Sequence, residues 1–418
     1  MREFQDCLTE FETGTEIDPK QAGVTFRYIH GYSFLAKGKD RVPGGKVYSS
    51  KELRYKKDPN GGLGTLTTAT IIGAGGAMGS EVVKRILTEE ILPHCGKMQI
   101  FVRPKSGCQG KDKNFYDALL EKLKDAMGGL LPHVELIDTY DKVDGELLIM
   151  CAGKTISIDS GRVSDRTTLL GENRTIFEDC ARSIKENPFI PPKLVIAVSN
   201  PNELSTGIFS KYFKRVVAVG PVLDSLRFQR EIRDELNLSA GTPVHALVGG
   251  NHELKGMVLY QSLLRIDCKR PPSQLAERIF SHSGEDPDIS DIYKKAYEMA
   301  RSGDEGVFNY INRHSILARL AIKPLIEYYC GGRADFPLGV AVISIIKAFQ
   351  DNVRSLATLT KRTCVGDDEV FIGVPLFISK DGMEEIDLDS IKDFRECNDQ
   401  EHLLGAVEIF KNKYHNPG

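Results

Sequence analysis

Residues 66–87 read LTTATIIGAGGAMGSEVVKRIL. Leu66 to Ile72 is short and β-branched, the composition of a strand. Four glycines follow, at 73, 75, 76 and 79, and then Val82, Val83, Ile86 and Leu87 recur at helical spacing. A strand that turns through glycines into a helix leaves main-chain N–H groups at the helix N-terminus, where the dipole favours an anion. Glycine also lets a pyrophosphate approach that backbone. The run satisfies GxGxxxG and GxxGxxG but not GxGxxG, and such a run can equally close an ordinary strand–helix turn. Its flanks therefore decide whether Gly73, Gly75, Gly76, Ala77, Met78 and Gly79 form a dinucleotide loop.

Outward from the loop, strands are predicted at 98–102, 134–137, 146–151 and 193–198, with helices at 115–127 and 167–185. The strands at 146–151 and 193–198 are apolar throughout rather than alternating, as strands covered on both faces must be. Alternation with helices predicts an α/β fold, a doubly wound parallel sheet of Rossmann type, over residues 66–221. Residues 222–418 read as an α+β catalytic domain. Helices are predicted there at 222–236, 253–265, 287–301, 305–328, 337–355 and 397–414, a strand at 244–248 and a hairpin at 356–377. Residues 1–65 are polar and turn-rich, an extension expected to form edge structure or an arm that wraps a partner subunit. The junction of the two domains is the natural place for a site.

Composition narrows the class. The 418 residues carry 55 Lys and Arg against 58 Asp and Glu, a formal charge of −3, so no basic footprint for nucleic acid or an anionic membrane exists. No apolar run approaches the roughly 20 residues a bilayer span needs. The acidic, polar start MREFQDCLTEFETGTE resembles neither a secretory nor a transit peptide. Nine scattered cysteines without a CxxC pair read as reduced thiols. A cytoplasmic enzyme is expected, with no metal, since no HxxxH or carboxylate cluster of ligand type is present.

The second strand bears on the cofactor. Dinucleotide sites that take NAD place an acid about 20 residues beyond the glycines, against the ribose 2′-hydroxyl. Here Arg103 stands there, followed by Lys105 and Ser106. A guanidinium, an ammonium and a hydroxyl suit a 2′-phosphate, which favours NADP over NAD.

Three further segments carry the chemistry. Val198-Ser199-Asn200-Pro201 closes a strand, and Val222-Leu223-Asp224-Ser225-Leu226-Arg227-Phe228 opens a helix with Asp224 and Arg227 on one face. The strand from Val244 ends in Gly249-Gly250-Asn251-His252. Singly, these are a surface ion pair and a loop histidine. In this order behind a glycine loop, VSNP, VLDSLRF and strand–Gly–x–His resemble the lactate/malate dehydrogenase family. LLIMCAG resembles the strand before that family's mobile loop, and DDEVFIGVPLFISKDG its C-terminal hairpin. The resemblance runs over about residues 66–414.

It implies a nicotinamide-dependent enzyme acting on a small 2-hydroxy or 2-oxo acid, usually as a dimer or tetramer. His252 matches the proton donor, Asp224 its carboxylate partner, Arg227 the clamp on the substrate carboxylate, and Asn200 the amide at the nicotinamide ribose and reacting oxygen. Ala152 and Gly153 begin the loop beside the cofactor. Arg166 matches the loop arginine that polarises the carbonyl, and Arg162 the position that reads the substrate side chain. His245 is expected to be packed in its strand. Departures are clear. The family usually carries Gly-Glu-His-Gly-Asp where this chain has Gly250-Asn251-His252-Glu253-Leu254. Pro221 and Ala334-Asp335-Phe336-Pro337 replace smaller residues. They point to a bulkier 2-oxo acid, and they keep two alternatives open: reduction of a related carbonyl or imine, or a cofactor-binding protein that has lost turnover.

Overall fold

The computed structural model describes residues 8–11, 24–28, 47–50, 53–93, 96–101, 118, 121, 125, 133–154, 169–187, 189, 191–239, 241–252, 256–267, 269–280, 288–332, 334–391 and 394–414. Six strands form its centre: β1 (Thr68–Ile72), β2 (Lys97–Phe101), β3 (His133–Ile137), β4 (Leu147–Met150), β5 (Leu194–Ala197) and β6 (Val216–Ala218). They lie in the order β3-β2-β1-β4-β5-β6, every neighbouring pair parallel. That order reverses direction between β1 and β4, and ligands of such sheets bind at the carboxyl ends of the strands beside the reversal. Every residue of β4 and β5 is buried, which is why their sequences run apolar without alternation.

Helices cover the faces. On one, α1 (Ala77–Thr88) packs Val82, Val83, Ile86 and Leu87 into the core. On the other, α2 (Leu170–Lys185) buries Phe177, Cys180, Ala181 and Ile184 against β3, β4 and β5 residues. Two more, α3 (Asn202–Phe209) and α4 (Gly220–Glu235), each start a few residues after a strand, at its carboxyl end.

The rest of the chain is attached through strands. After β7 (Val248–Gly250) and β8 (Met257–Leu259) come α5 (Ile289–Ser302), α6 (Ile316–Tyr329) and α7 (Asp335–Gln350), and then β9 (Arg354–Val365), β10 (Asp368–Ser379), β11 (Gly382–Ile386) and α8 (Asp399–Tyr414). Strand β9 joins the parallel sheet antiparallel to β6, with Ala218 opposite Thr360. The β9–β10 hairpin then carries β7, Gly250 lying opposite Gly373. His252 therefore hangs from the same continuous sheet as the glycine loop.

Part of the N-terminal segment adds to the edges. Val24–Tyr28 pairs parallel with the start of β9, and Tyr55–Lys56 antiparallel with the end of β11. Asp58 ties it down: its Oδ2 accepts from Arg215 Nε at 2.8 Å and from the Met383 main-chain N–H at 3.0 Å. Burial pushes the Asp58 carboxyl up, but Arg215 and the N–H groups of Met383 and Asn60 outweigh it and hold the group below its usual range.

Three expectations need correction. Of the helix expected at 253–265, the described residues 256–265 are not helical: β8 pairs antiparallel with β7, and a 3₁₀ turn at Gln261–Leu263 follows. Gly256 at φ +95° turns the chain back, and Val258 then buries as a strand residue. The helix expected over 305–328 is broken into Val307–Ile311 and α6, because the Ser315 hydroxyl caps α6 by accepting the Ala318 N–H at 3.2 Å. The strand expected at 244–248 is two, Val244–His245 pairing with Arg265–Ile266 and β7 pairing with β8. The helix expected at 115–127 lies largely outside the described residues. No described helix is long and apolar enough to cross a membrane.

Candidate active site

The glycine loop sits at the carboxyl end of β1, and two of its glycines, Gly73 and Gly79, have no room for a side chain. Gly73 takes φ +86°, and a Cβ there would stand 2.5 Å from the Ala152 main-chain nitrogen. A Cβ on Gly79 would lie 2.2 Å from the Gly73 carbonyl oxygen, so only glycine lets α1 seat on the loop. Gly75 faces open space. Gly76 occupies the N-cap of α1, and Ala77 and Met78 begin the helix. A turn residue, an unobstructed residue and a helix-packing residue at 73, 75 and 79 make a cradle that fits a dinucleotide pyrophosphate.

Beside the loop, the segment after β4 brings Ala152 and Gly153 into contact with Gly73 and Ser199. The Ser199 hydroxyl donates to the Ala152 carbonyl at 2.7 Å. Asn173, fully buried in α2, links this rim to the next segment: its Oδ1 accepts the Lys154 N–H at 2.6 Å and its Nδ2 donates to the Asn200 carbonyl at 2.8 Å. Cys151 at the same rim is no nucleophile, since burial pushes its thiol up to about 12.

The second cluster is built of side chains from three elements. Asp224, one turn into α4, is 4% exposed and points its carboxylate at the turn after β7. Its Oδ2 meets His252 Nδ1 in a very short contact, and its Oδ1 accepts from the Arg227 guanidinium at 3.2 Å. One carboxylate thus bridges the imidazole and the guanidinium. Gly220 makes room for the ring, because a Cβ there would stand 2.6 Å from His252 Cγ. The Gly220 N–H donates to Asn202 Oδ1 at 3.0 Å, and Asn202 Nδ2 donates to Asn200 Oδ1 at 2.6 Å. Ser225 holds α4 to the sheet: its hydroxyl accepts the Val248 N–H at 2.9 Å and lies 3.1 Å from the Thr358 hydroxyl.

The structure brings together Gly73–Gly79, Ala152, Gly153, Asn200, Asp224, Arg227 and His252 along the carboxyl ends of β1, β4, β5 and β6. Arg103, Lys105 and Ser106, and the loop residues Arg162 and Arg166, lie outside the described residues. His245 is buried, paired across from Arg265. Pro221 lies against Gly373, and Phe336 is half exposed over Arg85 of α1. Among the described residues no group of three or more His, Cys, Asp or Glu side chains stands as a metal site requires. Sequence reasoning missed Asn173, Glu203, Gly220 and Ser225. A signal existed for the two glycine and amide positions, since Gly220 precedes the helix that carries Asp224 and Asn173 follows the loop.

No family model matches the chain. A malate dehydrogenase of Chlorobium phaeobacteroides is 27% identical over 331 residues, 77% of this chain and 91% of that protein. An L-lactate dehydrogenase of Macrococcus caseolyticus is 23% identical over 263 residues, 59% of this chain and 70% of that protein. Among solved structures, the malate dehydrogenase of Cryptosporidium parvum superposes with a TM-score of 0.59 at 19% identity, covering 84% of this chain and 98% of that one. The lactate dehydrogenase of the same organism, complexed with lactic acid and β-nicotinamide adenine dinucleotide, gives 0.57 at 19% identity, covering 84% and 97%.

Proposed function

We propose a function from one premise: the chain is a divergent member of the malate/lactate dehydrogenase family. It is an NAD(P)-dependent oxidoreductase that interconverts a 2-hydroxy acid and its 2-oxo acid. One observation carries this reading: the buried Asp224 carboxylate holds the His252 imidazole through one oxygen and the Arg227 guanidinium through the other.

Gly73–Gly79, Ala152 and Gly153 would hold a nicotinamide dinucleotide, whose chemistry there would be hydride exchange with C2 of the substrate. His252 exchanges the proton on the substrate oxygen, a task suited to a side chain that titrates near neutral pH. With Nδ1 held by Asp224, Nε2 is the nitrogen that faces the substrate, and the carboxylate stabilises the imidazolium. Arg227 grips the substrate carboxylate, since a planar guanidinium pairs with it through two parallel N–H bonds. Asn200 orients the reacting oxygen and the nicotinamide ribose. Residues Gly73–Gly79, Ala152 and Gly153 hold the dinucleotide, while Arg103, Lys105 and Ser106 favour the 2′-phosphate of NADP. Arg166 polarises the carbonyl and Arg162 reads the substrate side chain as the loop closes. Residues 66–221 serve the cofactor and 222–418 the substrate, in a homo-oligomer.

The test is a panel of 2-oxo acids of increasing bulk, with NADPH and NADH, followed by loss of the reduced-nicotinamide absorbance. At least one acid is expected to consume the cofactor. Tight binding of NADPH or NADH with no acid of the panel reduced would overturn the reading.

A further inference from the structure

Glu203 is 1% exposed, yet it lies in the first turn of α3, three residues beyond Asn200. Its Oε1 accepts the main-chain N–H of His252 at 2.8 Å, and its Oε2 lies 3.5 Å from the phenol of Tyr414, the last residue of α8. A buried carboxylate is costly unless hydrogen-bonded donors surround it. Here the donors come from two other elements, and the N-terminal dipole of α3 favours the charge.

Glu203 reaches the turn after β7. Gly250 takes φ +70°, and Asn251 is held by its N–H to the Gly256 carbonyl at 2.9 Å and by its Nδ2 to the Ala406 carbonyl at 2.9 Å. Asp224 meets His252 at its imidazole, which a rotating side chain can follow while the main chain shifts. Glu203 grips the main chain itself, from the same short segment that carries Asn200.

We propose that Glu203 is a positioning residue for the proton donor: its carboxylate sets the distance between the His252 imidazole and the Asn200 amide, two groups that must meet one substrate oxygen. This rests on the role given to His252 above. Glu203 bonds the His252 main chain rather than Arg227, so its loss is expected to act through His252 and to leave Arg227 in place.

The experiment compares Glu203→Leu with Glu203→Gln in the full chain. Leucine leaves the His252 N–H buried without its acceptor; glutamine offers a carbonyl oxygen at the same reach. Glu203→Leu is expected to lower kcat on the order of tenfold to a hundredfold, with KM and the affinity for NAD(P)H near the parent's. Glu203→Gln recovers most of the loss. A second readout needs no turnover: the His252 imidazole, identified by its loss in His252→Asn, is titrated by NMR in the substrate-free protein. Its titration shifts in Glu203→Leu and stays parental in Glu203→Gln. A folded Glu203→Leu variant with parental titration and parental kcat would overturn the proposal. If the parent reduces no 2-oxo acid, the functional reading fails while the titration still judges the tether. Should Glu203→Leu not fold, Glu203→Asp, which keeps the charge but shortens the reach, is expected to shift the titration in its place, and a parental titration there overturns the proposal.

Discussion

The glycine loop and the histidine site are built on opposite principles. The loop is shaped by side chains that are missing: any Cβ at Gly73 or Gly79 would collide with main chain at 2.2–2.7 Å. The histidine site is shaped by ionisable side chains that burial would ordinarily exclude, Asp224, His252 and Glu203, all under 9% exposed. The loop lies within seven consecutive residues. The other cluster draws on the starts of α3 and α4 and on the turn after β7, which β9 and β10 tie to the sheet and Ser225 ties to α4. A backbone cradle tolerates changes of charge and fails on added volume, whereas the side-chain cluster fails on a lost polar partner as well as on volume added at Gly220.

That contrast can be broken or sharpened by substitution. The largest effect is expected from His252→Asn, which keeps a polar side chain and removes the titrating ring: turnover should fall by roughly 10²–10⁴ while NAD(P)H still binds by fluorescence titration. Near-normal turnover would remove the acid–base role. Arg227→Lys should follow, lowering kcat/KM by about tenfold to a hundredfold, mostly through KM, because one ammonium cannot reproduce the fork. In the loop, Gly79→Val should cost about 1–3 kcal/mol in urea unfolding and weaken nucleotide binding, with the His252 titration unmoved. A parental affinity would mean that the dinucleotide lies elsewhere. Arg103→Asp should shift the NADPH-to-NADH preference by about tenfold toward NADH, since a carboxylate repels a 2′-phosphate and accepts from a 2′-hydroxyl.

The smallest effect is a pH dependence at a buried acid outside both regions. Asp399, at the start of α8, is pushed up to about 6 by burial, against the pull of the Ser262 hydroxyl and N–H, the Gln261 N–H and Arg270. The folded chain therefore holds this proton more tightly than the unfolded chain. Its contribution to stability falls as pH rises from about 4 to about 6 and is level above, with a slope under about 1.4 kcal/mol per pH unit. The difference in urea midpoint between the parent and Asp399→Asn, followed across that range, measures it. A flat difference would show that the carboxyl titrates alike in both states.

Legibility in the sequence followed the distance between partners. Asp224 and Arg227 could be placed on one face because a helix repeat joins them, and β4 and β5 could be recognised as doubly covered because an apolar run has few other uses. Glu203 escaped because an acid in a helix's first turn reads as an ordinary solvated charge favoured by the dipole. The misread helix at 253–265 arose because Met257, Val258, Leu259 and Tyr260 are apolar without a period that separates strand from helix, and only pairing with β7 settles it.

By itself, then, the sequence determined the α/β class, the glycine loop and the family likeness, since each is a local pattern of turn chemistry, periodicity or motif order. Only the tertiary structure decided which polar groups are buried together. Whether Glu203, Asn173 and Asp224 face water or one another depends on how β7, α3 and α4 pack, and burial makes each such group either a bonded constraint or a heavy cost.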